Sequence, residues 1–112
     1  MALPLKRSDE YKTRVRKYAS DLAERYRPEI AMLFLVEVQK AEQLLHDNNL
    51  LGVQAPYLLA GQQVMLRELY FDCGPARYCL IHELHNDYVG LISLWHCSGS
   101  RMTVNSLRIW QR

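Results

Sequence analysis

The apolar residues of this chain change their spacing once, near residue 50, and that change limits the fold more than any motif does. Ahead of it they recur every three to four positions, the repeat of a helix with one buried face. Beyond it they gather in short strand-like runs bounded by turn residues. A helical first half followed by a run of strands is the signature of an α+β fold. With 112 residues there is room for one domain, 1–112, and hardly for two.

Tyr11, Val15, Tyr18, Ala19, Leu22 and Tyr26 form the stripe of the first helix. Ser8 is its expected N-cap, and Asp9 and Glu10 fall in the first turn, where the helix dipole favours acids. The pattern stops at Arg27-Pro28, because a residue before proline avoids helical geometry. Pro28 then suits the first turn of a second helix, with Ile30, Phe34, Val38, Ala41 and Leu45 as its main stripe and His46-Asp47-Asn48-Asn49 as its end. The two read as an antiparallel helical hairpin.

A loop is expected from Leu50 to about Gln62, broken by Gly52, Pro56 and Gly61. Three strands follow, Val64–Phe71, Ala76–Leu84 and Tyr88–Cys97, separated by hairpin-sized gaps, and these predict an antiparallel meander. Residues 3–7 could add a short edge strand, and 102–112 form a C-terminal tail with some apolar character. The expected architecture is a helical hairpin packed on one face of a small antiparallel sheet.

Composition removes several classes of function. An apolar fraction of 49% excludes a disordered polymer, and the longest wholly apolar run, Ile30 to Val36, is far short of a membrane span. Three cysteines, none in a CxxC pair, read as reduced thiols of a cytoplasmic protein. The net charge of +2 divides unevenly: residues 1–27 hold eight Lys/Arg against four Asp/Glu, residues 28–99 three against eight, and residues 100–112 three arginines and no acid. Basic ends around an acidic middle suit an acidic partner or nucleic acid, and equally a solvated surface.

If Asn86-Asp87 make a two-residue turn, His85 faces Tyr88 and Arg77 lies opposite His96. A longer turn would shift that register. An Arg beside a His on a sheet face could bind an anion or assist phosphodiester chemistry; it could also be a simple exposed pair. Arg67 and Arg101 could enlarge the basic patch. His82 and His85 are three apart on a strand and point to opposite faces, so no metal site and no cofactor is expected. Phosphate loops and nucleophile elbows are missing from the sequence.

Taken in order, Leu22-Ala23-Glu24-Arg25-Tyr26, Ala41-Glu42-Gln43-Leu44-Leu45, Leu66-Arg67-Glu68-Leu69, Ala76-Arg77-Tyr78-Cys79-Leu80-Ile81 and Leu91-Ile92-Ser93-Leu94-Trp95-His96 resemble the RelE/ParE superfamily of type II toxin–antitoxin toxins, especially its ParE-like (plasmid stabilisation) branch. The likeness runs over residues 8–101. It implies a small cytoplasmic toxin that inhibits growth by acting on DNA gyrase through protein contact and is neutralised by a cognate antitoxin. Arg77 matches the Arg that starts the middle strand of the meander in that family, and His96 the His that ends the last strand. Cys97-Ser98-Gly99-Ser100 separate His96 from Arg101, wider than the family's spacing. Under this resemblance Arg67, Arg77, His96 and Arg101 would contact the target.

The other branch implies a ribosome-dependent mRNA endoribonuclease, in which Arg77 and His96 would be catalytic. Residues 52–66 contain no Lys, Arg, Asp or Glu, where such an enzyme would be expected to supply several. A member of the family kept for binding alone is a third possibility. Helix 30–45 also carries more apolar residues than one core-facing stripe needs. Met32 and Leu35 lie off its main line and are candidates for antitoxin binding, unless the 50–62 loop or the tail covers them.

Overall fold

A computed structural model of the chain describes residues 2–59 and 61–97. Its elements run β1 (Leu5–Arg7), α1 (Asp9–Arg25), α2 (Pro28–Asp47), β2 (Val53–Leu59), β3 (Gln62–Cys73), β4 (Ala76–Leu84) and β5 (Val89–His96). Both helices begin where the capping chemistry places them. The Ser8 hydroxyl accepts from the Tyr11 amide at 3.0 Å, and Pro28 occupies the first turn of α2. The Asn48 amide closes α2 on the Leu44 carbonyl at 2.8 Å.

The strands form one five-stranded mixed sheet in the order β1-β5-β4-β3-β2. Strand β1 is the expected N-terminal edge, and it lies parallel to β5, while every other pair is antiparallel. The expected three-strand meander is therefore part of a larger sheet. The segment 50–62, expected as a loop, contributes β2, with Val53 opposite Glu68 and Leu59 opposite Gln62. Pro56 is compatible with this strand because, among the described residues, β2 has β3 on one side only and stands at the edge of the sheet. Gly74, at φ +58, takes the first of two turn positions between Cys73 and Ala76, where a side chain would be strained.

The β4–β5 register corrects a second expectation. The turn itself is as anticipated: the His85 amide donates to the Tyr88 carbonyl at 2.9 Å, and Leu84 pairs with Val89. His82 pairs with Leu91, but Ile81 pairs with Ser93, so Ile92 is an extra residue and the ladder is bulged. Beyond the bulge Tyr78, and not Arg77, stands opposite His96. A slip of one residue moves a side chain to the other face. Arg77 instead accepts at its carbonyl from the Cys97 amide, at 2.8 Å.

The helical hairpin covers one face of the sheet. Tyr11, Phe34, Val38, Ala41 and Leu45 pack there against Tyr78, Leu80, Val89, Leu91 and Leu94. Beyond the short β1, the outer edge of β5 is closed by side chains and backbone from the α1 region. The Ser8 amide and hydroxyl donate to the Leu91 and Ile92 carbonyls, and the Tyr18 hydroxyl accepts from the His96 amide. These bonds occupy groups that an exposed edge would offer to another chain. The opposite face carries its own apolar cluster of Tyr57, Leu66, Cys79, Ile81 and Ile92. Among the described residues no helix is long and apolar enough to cross a membrane.

Candidate functional site

Of the basic residues singled out in the sequence, Arg67, Arg77 and His96 do not gather into one patch. Arg67, on β3, is half-buried and turns its guanidinium to the carbonyls of Leu50, Leu51 and Gly52 at 2.6, 3.2 and 3.2 Å. It ties the α2–β2 connection to the sheet. Its register partner His82 is fully buried, with Nε2 3.3 Å from the Leu51 carbonyl and Nδ1 3.4 Å from that of Leu80. Burial lowers the His82 pKa from its ordinary value, and the nearby Arg67 charge lowers it further against two backbone hydrogen bonds that raise it.

Arg77 is exposed on the second face, beside Asp72, with Nε 2.9 Å from a carboxylate oxygen. The hydrogen bond from Arg77 holds the Asp72 carboxyl below the usual carboxylate range. His96 lies on the helix-covered face, its ring centroid 4.9 Å from that of Tyr78 and 6.4 Å from that of Tyr18. It borders an open groove of about 710 Å³ at the tip of the helical hairpin, between Tyr18, Asp21, Arg25 and Tyr26 on one side and Cys73 and Tyr78 on the other. Aromatic walls with a few polar groups suit an apolar or aromatic side chain of a partner. Arg101 and the tail 102–112 lie outside the described residues.

On α2, Met32 is exposed, whereas Leu35 is half-buried and packs against the core. The exposed apolar row on this helix is Met32, Leu33 and Val36, with Leu44 two turns on. The apolar run Ile30 to Val36 contained the signal for Leu33 and Val36, since a helix that is apolar all round presents some of it to water.

The second face of the sheet holds a polar cluster that the sequence reading passed over. Glu68 accepts hydrogen bonds from the Tyr57 and Tyr70 hydroxyls. Burial first, and then the Glu68 carboxylate, push the Tyr57 phenol well above its ordinary value. Burial likewise pushes the Cys79 thiol up to about 12, so it is protonated and unreactive at neutral pH. The advance signal was Glu68 standing two residues beyond the uncharged 52–66 segment; its cross-strand partner Tyr57 depends on β2 being a strand, whereas Tyr70 lies two residues further along β3 itself. Among the described residues no three His, Cys, Asp or Glu side chains stand close enough to hold a metal ion. The chain matches no protein-family model and no curated protein.

Proposed function

We propose that this protein is the toxin of a type II toxin–antitoxin pair, ParE-like in kind. It acts in the cytoplasm by gripping DNA gyrase and is held inactive by a cognate antitoxin. The observation that carries this reading is the placement of Arg77 and His96 on opposite faces of the sheet, separated by the Ile92 bulge. A ribonuclease built on that pair needs both side chains at one phosphodiester, within hydrogen-bond reach of it. Separated by the sheet, they serve contact better than catalysis. The hairpin followed by consecutive antiparallel strands agrees with the order of motifs in the resemblance. The exposed Met32, Leu33 and Val36 row offers an antitoxin helix an apolar seat on α2.

Purified protein is expected to block supercoiling by gyrase and to leave a translation extract intact. Full supercoiling at a large molar excess overturns the reading. Codon-positioned mRNA cuts that vanish in Arg77→Ala would replace it with the endoribonuclease.

A further inference from the structure

We propose that the groove at the tip of the helical hairpin binds a small organic carboxylate with an aromatic or branched apolar body. The walls suit the body. Tyr18, Leu22, Tyr26 and Ile30 from the helices and Tyr78 from β4 line about 710 Å³, a size usual for small-molecule sites. Tyr78 supplies the observation that points to a ligand. Its side chain lines the groove and is 1% exposed, and its hydroxyl has no hydrogen-bond partner among the described residues. A buried hydroxyl left without a partner is costly, and folded proteins seldom keep one.

The groups around that hydroxyl offer protons. The Tyr18 hydroxyl accepts from the His96 amide at 3.0 Å, which leaves its own proton for an acceptor. The Tyr18 and Tyr78 rings meet edge to face with centroids 5.5 Å apart. Burial first, and then the neighbouring Cys73, Tyr18 and Tyr26 groups, push the Tyr78 phenol up to about 12, and burial raises the Cys73 thiol as well. Both keep their protons at neutral pH. Arg25, exposed at the rim, has no acid partner among the described residues. Phenolic donors beside an unpaired guanidinium fit an anionic acceptor, because hydrogen bonds to a charged group are the strong ones. Asp21, one turn before Arg25, is the one acid among the described lining residues, and the two make no ion pair with each other. It repels a carboxylate and limits the affinity. A cationic ligand would gain that single acid and meet the Arg25 charge as well. The inference stands whatever the target of the protein proves to be.

Titration of the full-length chain with 3-phenylpropionate, followed by amide NMR shifts, tests the site, with 3-phenylpropan-1-ol as the uncharged counterpart. Saturable shifts are expected at Tyr18, Arg25, Ala76 and Tyr78, and the alcohol is expected to bind on the order of tenfold more weakly. The acid should also slow alkylation of Cys73, which lines the groove, and leave Cys97 on the other face at its own rate. Tyr78→Phe keeps the ring and removes only the hydroxyl; it and the surface change Arg25→Gln are each expected to weaken the carboxylate about tenfold. Asp21→Asn is expected to tighten it. Equal affinity for acid and alcohol, shifts confined to residues outside the groove, or no saturation at roughly 10 mM overturns the inference. So does parent-like binding by Tyr78→Phe or, should that variant fail to fold, by Arg25→Gln.

Discussion

The two faces of this sheet each carry a buried apolar cluster, and the clusters are differently made. Leu80 and Ile81 are consecutive residues of β4, both fully buried, and they point to opposite sides. Leu80 lies under a helical hairpin that is close in sequence to nothing it covers, yet whose every cap and stripe is local. Ile81 lies in the second cluster, with Tyr57, Leu66, Cys79 and Ile92.

The sharpest way to break this comparison is to truncate both residues. Leu80→Ala and Ile81→Ala are each expected to cost about 2–5 kcal/mol in urea denaturation, the range for large-to-small changes in a packed core. If the second face were open to water in solution, Ile81→Ala would lose well under half of what Leu80→Ala loses, and the parity of the two faces would fail.

A smaller effect is expected at the joint between the helical layer and β2. Gly52 has φ +94, and a Cβ there would sit 2.8 Å from the Glu68 carbonyl oxygen and 3.1 Å from the His82 ring. Gly52→Ala therefore combines backbone strain with a clash against a strand that cannot retreat, for about 1–3 kcal/mol. A thermal shift within error of the parent would show that the linker can move away from β3, and that Arg67 does not pin it.

How much of this was open to a reader of the sequence follows the range of the interactions. The helices are legible because Ser8, Pro28 and Asn48 mark their ends within one turn of the chain. Strand β2 was hidden by Pro56 and two glycines, which read as a loop until the edge position of the strand is known. The bulge at Ile92 has no local signature. Leu91-Ile92-Ser93 reads as ordinary strand, and only the ladder with β4 reveals the extra residue. That single residue redistributed the candidate site, sending His96 to the hairpin groove and Arg77 to the other face. In the Tyr57–Glu68–Tyr70 cluster the Tyr57 contact was out of reach because it crosses from β2, which reads as a loop, whereas Glu68 and Tyr70 stand two apart on an expected strand.

The smallest expected effect separates the faces by pH. His82 lies on the helix-covered side, paired with Leu91 and buried against the Leu51 carbonyl, and burial lowers its pKa. The unfolded chain, with an ordinary histidine near 6.5, then binds a proton that the folded chain refuses. The stability due to neutral His82 is fully present above about 6.5 and is lost as the pH falls from there through the lowered folded value. Urea midpoints measured between neutral and mildly acid pH are expected to decline in the parent and to decline less in His82→Gln, once the neutral-pH cost of that substitution is subtracted. The loss should show first on the side that His82 braces. Hydrogen exchange at acid pH is expected to rise in the 50–52 linker and the adjoining end of β4 before it rises at Cys79 and Ile81. Parallel midpoints for the two proteins across that range would mean that His82 stays neutral in both states or is charged in both, and the acid sensitivity would then have to be sought elsewhere.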